Sequence, residues 1–289
     1  MSHKHKKKRS EEKAGFNELS WNDRNELTLL YIQLNAIMVL IYSDLMFYFA
    51  VVAAINEVLT KDGSKRDGYA SDRLLIKYSM SGLWVYIYIT IVSIARYNSL
   101  KIRKRAGEFK YSIMPNLLIA IGGLLNIVVY SYFYKGSNAF LRRDVGGFSF
   151  VTNNTFKEVL DLLYTEKNAM VIRFYADYFF FRTTIESIAV IISRYNKELR
   201  EFGVPNPDIS ALNAQSLYIV SRVIIAKTAV QRLNIVVNNV SDQYKYNGFI
   251  DGEILSVYGN YYGIISNIFL YIGFYKIYER NIIQPVFGG

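Results

Sequence analysis

Charge is missing from four long stretches of this chain, and that absence constrains the fold more than any other feature. Tyr111 to Tyr134 runs for 24 residues, Ile254 to Tyr275 for 22 and Tyr78 to Ala95 for 18 without one Asp, Glu, Lys or Arg. Leu27 to Asn56 runs for 30 with a single charge, Asp44. About 20 apolar residues in a helix cover the roughly 30 Å hydrocarbon layer of a bilayer. A water-soluble helix of this length keeps one polar face, and these segments keep none. The pattern predicts an all-α, polytopic transmembrane helical bundle.

Composition agrees and narrows the chemistry. Of 289 residues, 25 are Tyr and 18 are Phe, which suits rings that sit between acyl chains and water. The mean hydropathy is only +0.11, so some segments must be amphipathic or reach into water. The chain has no cysteine and only two histidines, His3 and His5, both in a basic tail. Thiolate chemistry, disulfides and His- or Cys-held metals are therefore not expected, and no cofactor is implied. Walker A, G-x-S-x-G and H-E-x-x-H patterns are absent, and an enzyme is not expected. Richness in Lys, Asn, Ile and Tyr points to an AT-rich genome, bacterial or phage.

Two further segments carry charge inside apolar sequence. Residues 168–193 hold Arg173, Asp177, Arg182 and Glu186, and residues 209–241 hold Arg222, Lys227 and Arg232. A charge at mid-membrane costs about 2.5 kcal/mol or more unless it is paired or hydrated. Arg173 with Asp177 and Arg182 with Glu186 form two i,i+4 pairs on opposite sides of one helix, so that helix should be surrounded by protein or line water.

Six crossings fit the charge distribution better than four. With the N-terminus inside, 18 Lys and Arg fall on the inner side and 11 on the outer side, as the positive-inside rule requires. This assigns residues 1–26 to a basic cytosolic arm, 27–281 to the membrane domain and 282–289 to a short cytosolic tail. The arm has no small-residue cleavage site after it, so the first span is expected to serve as a signal anchor. Leu34-Asn35, Leu125-Asn126 and Leu233-Asn234 recur in the odd-numbered segments, and Arg96-Tyr97-Asn98 and Arg194-Tyr195-Asn196 end even-numbered ones. Their shared order suggests three repeated helical hairpins. Mitochondrial carriers have that layout, but their Pro-x-acidic-x-x-basic motif is absent here.

Several residues are candidates for function. Lys227, Gln231, Asn234 and Asn238 are spaced 4, 3 and 4 apart and form one polar stripe. Such a stripe can line a pore, bond neighbouring helices or meet phosphates at the interface. Arg222 and Arg232 join it as pore- or substrate-lining candidates. The five-residue spacing of Arg222, Lys227 and Arg232 spirals round the helix and is not a voltage-sensor ladder. Asp44, Arg173, Asp177, Arg182 and Glu186 are the intramembrane charges, and Asp44 is expected either to bind an ion or proton or to meet a structural partner such as Arg222. The loop bearing Lys101, Arg103, Lys104 and Arg105 is expected to meet anionic headgroups, or an anionic ligand such as a nucleotide or oligonucleotide.

The sequence is thus expected to encode a multi-pass protein of a bacterial cell membrane, N-terminus cytoplasmic. A homo-oligomeric ion channel or pore, of the kind a toxic or defence effector forms, is the leading expectation. A secondary transporter and a partner-recruiting anchor are the alternatives.

Overall fold

The computed structural model describes residues 19–60, 70–145, 155–203, 205–239, 248 and 250–283. Most of the basic arm and of the C-terminal tail lies outside the described residues. Seven helices and no strand are found among them: α1 (Trp21–Leu59), α2 (Ala70–Arg105), α3 (Met114–Val145), α4 (Phe156–Ser193), α5 (Lys197–Phe202), α6 (Pro207–Asn239) and α7 (Asp251–Ile283).

Local chemistry sets the helix ends. Ser20 precedes α1, and its hydroxyl oxygen accepts from the Asp23 amide at 3.1 Å, occupying one of the free amides of the first turn. Gly107, at φ 78°, closes α2. There the Glu108 amide donates to the Arg103 carbonyl at 3.0 Å and the Gly107 amide to that of Lys104 at 3.2 Å, a Schellman turn that favours glycine. This holds Arg103, Lys104 and Arg105 in the last turn, where helix carbonyls favour cations. Pro207 sits at the first position of α6, where its missing N–H costs nothing.

The six long helices close into a ring. Going round it, α1 packs on α2, α2 on α3, α3 on α7, α7 on α6, α6 on α4, and α4 on α1. Cross-helix bonds fix the directions, and neighbours alternate. Arg96 near the end of α2 meets Glu26 near the start of α1, and Arg143 near the end of α3 meets Glu253 at the start of α7. Ser210 at the start of α6 bonds Glu186 near the end of α4. We call the end holding the starts of α1, α3 and α6 basal and the other distal.

Apolar side chains also cover the outside of the ring. Met38, Trp84, Leu124, Tyr175, Val220 and Ile265, one on each long helix, are all exposed. A belt of this kind is stable only where the surrounding medium is itself apolar. Four helices, α1, α2, α3 and α6, are long and apolar enough to cross a membrane, so the chain has the features of a multi-pass membrane protein. Strict apolarity selects α6, doubtful in the sequence, and omits α7, whose run from Ile254 to Tyr275 lacks charge. Five Tyr and two Asn between Ile254 and Tyr275 account for the omission. Glu166 and Glu186, on buried faces near the two ends of α4, are 20 residues apart. That is about 30 Å of helix, the thickness of the hydrocarbon layer.

One topological expectation is corrected. Consecutive helices pair in α1/α2 and α6/α7, but α3 and α4 stand on opposite sides of the ring, so the chain is not three consecutive hairpins. The reason lies in α3, whose packing surface is taken by α2 on one side and α7 on the other. Against α2, Gly82 leaves room for the ring of Tyr130, and a Cβ at Gly82 would fall inside that ring. Gly82→Val should therefore cost about 1–3 kcal/mol by overpacking. A lowered unfolding temperature in mild detergent is the expected result, and an unchanged one would separate α2 from α3 at this level.

Candidate functional site

The ring is not filled by apolar side chains alone. At mid-depth, α4 directs Arg173 inward, with 1% of its side chain exposed, toward an equally buried Asp44 on α1. The guanidinium Nε donates to Asp44 Oδ2 at 2.6 Å, and Nη2 donates to the Tyr130 hydroxyl of α3 at 2.8 Å. Asp177, one turn along α4, accepts from the Tyr218 hydroxyl of α6, and its carboxyl lies beside that of Asp44. Each carboxylate keeps one buried oxygen without a hydrogen-bond donor. The Arg173 guanidinium also stacks over the Tyr218 ring, with 5.5 Å to the centroid. One cation thus ties α1, α3, α4 and α6 together.

A second buried cation is held differently. Arg222 of α6 donates to Asn260 of α7 at a long 3.4 Å and lies over the Phe133 ring at 5.3 Å. Among the described residues it has no carboxylate partner within ion-pair distance, and its Nε has no acceptor. Gly263 gives it space, since a Cβ there would press on the guanidinium.

Above this layer, toward the basal end, a cavity of about 210 Å³ lies between all six long helices. Glu26, Arg96 and Asp208 line its basal part, while Tyr86, Gln215 and Tyr218 line it near the buried charges. The carbonyl oxygen of the Gln215 side chain is buried without a donor. Arg96 is fixed at the cavity wall by Glu26 at 2.7 Å and Gln33 at 2.6 Å. Tyr218 therefore faces the cavity with its ring while its hydroxyl holds Asp177.

The distal half is tied together by ion pairs. Arg232 of α6 donates to Glu253 of α7 at 2.7 Å and to Glu166 of α4 at 3.1 Å. Arg143 of α3 donates to the other Glu253 oxygen at 3.0 Å. Thr228 donates to Glu166 at 3.0 Å. Charge-assisted bonds that satisfy both carboxylates in a buried place are the strong kind.

The residues singled out in the sequence fall into three groups. Asp44, Arg173, Asp177, Arg222 and Arg232 lie inside the ring. Arg182 and Glu186 form the expected i,i+4 pair, with Glu186 also bonded by Ser210 near the basal end. Lys227, Gln231, Asn234 and Asn238 all lie on the exposed outer face of α6 and none borders the cavity, while Lys101, Arg103, Lys104 and Arg105 are at the basal end of α2. Two pairings differ from expectation. Arg173 reaches across to Asp44 rather than along its helix to Asp177, because both point into the ring and Tyr218 takes Asp177. Asp44 is accordingly matched by Arg173 and not by Arg222. Glu166 and Glu253 went unnoticed because each sits one or two residues outside an apolar run, and Tyr86, Tyr130 and Tyr218 because Tyr is abundant here.

No family model matches this chain, and no curated protein or solved structure matches it either.

Breaking the central pair leaves an uncompensated buried charge, so Arg173→Met should cost about 3–5 kcal/mol. Adding Asp44→Asn removes that charge and should recover part of the loss. A double-mutant cycle on detergent unfolding should give an Arg173–Asp44 coupling larger than that of Arg173 with Asp177. Equal couplings would mean that the guanidinium is shared evenly between them.

Proposed function

We propose that this protein carries a small solute or ion across the membrane through the axis of its own ring, as a secondary transporter does. The observation that supports this reading is the cavity, which extends along the axis from Glu26, Arg96 and Asp208 at the basal end to Tyr86 and Tyr218, directly above the buried Asp44–Arg173–Asp177 layer. Beyond that layer Arg232 ties α4, α6 and α7 together. A site at mid-membrane, reached from one side at a time, is what a carrier requires. A conducting pore requires a continuous water path.

In this reading the cavity admits cargo, and Gln215, Tyr86 and Tyr218 contact it. The buried carboxylates and guanidiniums respond to its charge. The protein sits in a bacterial cell membrane with the basal end cytoplasmic. Lys101, Lys104 and Arg105 then face the anionic leaflet there and lie within reach of its headgroups.

One observation favours the second reading, a homo-oligomeric channel. Lys227, Gln231, Asn234 and Asn238 stand on an outward face otherwise rich in apolar residues. In an assembly of several copies that stripe would line the space between protomers.

Reconstituted vesicles separate the two. Solute uptake and charge movement should saturate with concentration and show no unitary current steps in bilayers. Gln215→Leu, which fills the cavity with an apolar group, should reduce flux about tenfold, the effect of losing one polar contact to a bound solute. Lys227→Glu should change little. Unitary currents whose ion selectivity follows Lys227→Glu would overturn the carrier reading in favour of the channel.

A further inference from the structure

The ring order contains a symmetry that pairs of consecutive helices hide. Read as α1, α2, α3, α7, α6, α4, it maps onto itself when α1 is exchanged with α4, α2 with α6 and α3 with α7. Each exchanged pair runs in opposite directions, so the operation is a two-fold rotation about an axis in the plane of the membrane. The sequence follows the same division. Leu27–Phe47 of α1 and Leu160–Phe180 of α4 share L-x-L-L-Y-x3-N-A-x5-Y-x-D-x2-F, identical at 9 of 21 positions at an offset of 133. Gly122–Lys135 of α3 and Gly263–Lys276 of α7 share G-x3-N-I-x2-Y-x2-F-Y-K, identical at 7 of 14 at an offset of 141. In α2 and α6, Arg96-x-Asn98 corresponds to Arg232-x-Asn234 at an offset of 136. The matches include Asn, Asp, Tyr and Lys, which shared apolar composition does not explain, and the offset grows only between helices.

Side-chain bonds obey the same operation. Arg96 of α2 donates to Gln33 of α1 at 2.6 Å, and its counterpart Arg232 donates to Glu166, the counterpart of Gln33, at 3.1 Å. Asp44 and Asp177 are counterparts too, and they meet side by side at mid-depth, where the axis passes. We propose that the chain is an inverted repeat of two three-helix units, α1–α3 and α4–α7, and that it has a second vestibule at the distal end, closed in this conformation. This rests on the carrier reading and adds the route by which cargo leaves.

The counterparts of the cavity lining identify that vestibule. Leu30, Gln33, Thr183, Ile89, Ser93 and Leu270 border the basal cavity. They correspond to Leu163, Glu166, Ala50, Ile225, Ala229 and Val129, all buried. The basal set borders the cavity, and the distal set surrounds the Arg232 ion pairs. Two units of equivalent fold have two equivalent ways to meet, and exchanging them opens the distal end as the basal one closes. The Arg143–Glu253 bond joins α3 of one unit to α7 of the other at the distal end. It has no ionic counterpart at the basal end among the described residues, because Ser112 stands where the repeat places the equivalent of Glu253. That bond holds the conformation seen here.

The natural lack of cysteine makes the test direct. Ser93→Cys and Ala229→Cys are placed singly, and an impermeant maleimide is applied to right-side-out and to inverted membrane vesicles. S93C should react from the basal side only, and A229C more slowly and from the distal side only. Adding Glu253→Gln, or Arg143→Gln should the first fail to fold, should raise the A229C rate about tenfold and lower the S93C rate, because it weakens the distal link alone. If S93C reacts while A229C stays inert in every background, or reacts from the basal side, the second vestibule is refuted and the one-sided cavity stands. If S93C is itself inert from both sides, the carrier reading falls along with the inference.

Discussion

Arg173 is a full positive charge placed where the surrounding medium cannot solvate it, and the architecture follows from sheltering it. A cation at the middle of a bilayer costs about 2.5–3.5 kcal/mol on insertion scales. Here its Nε and Nη2 donate to Asp44 of α1 and Tyr130 of α3, and its face meets Tyr218 of α6. Those partners come from helices spread around the ring, so the charge can be accommodated only when the ring is closed. The same logic repeats at the distal end, where Arg232 and Arg143 are shared by Glu166 and Glu253. Burying ions in this way adds little net stability over an apolar core. It specifies which helices meet, and at what height.

Alternating helix direction round the ring makes every neighbour antiparallel, so each turn of one helix faces a turn of the next at equal depth. Small residues at the crossings allow close approach. Ser266 of α7 donates to the Gly122 carbonyl of α3 at 2.7 Å, and Ser43 of α1 donates to the Tyr78 carbonyl of α2 at 2.8 Å. Such contacts replace the hydrophobic driving force, which lipid does not supply between helices. Among the described residues, the axis holds a cavity in its basal half and a network of ion pairs in its distal half.

The helical, membrane-crossing character was legible because uncharged runs of 18 to 30 residues have few other uses. The charges of α4 were legible as needing protein or water around them for the same energetic reason, and Arg173, Asp177 and Glu186 are buried inside the ring, although the outer face of α4 is exposed. Partner choice was not legible. Helix periodicity says that Arg173 and Asp177 share a side, but which of them meets Asp44 depends on the rotation of α1, and that is fixed only by packing. The stripe from Lys227 to Asn238 shows the limit of periodicity from another direction, since a polar face is equally visible whether it points inward or outward. The repeat was present in the letters from the start. Comparing helices in pairs put Leu125-Asn126 against Leu233-Asn234, whereas units of three helices bring Asn126 onto Asn267 within a long identical pattern. Ring order supplied the right unit.

The central claim is that all six long helices cross the bilayer and hide a charged layer at its middle. It is tested most directly by a depth profile of α4 and α7, the two long helices that fall short of strict apolarity. Spin labels at Tyr175 and Tyr178 of α4 and at Ile265 and Ile268 of α7, all exposed on the outer face, are compared for collision with oxygen and with a water-soluble nickel chelate. The account predicts that oxygen dominates at all four sites, with the highest ratio near the level of Arg173. Dominance of the nickel chelate on either helix would put that helix in water and contradict a closed transmembrane ring.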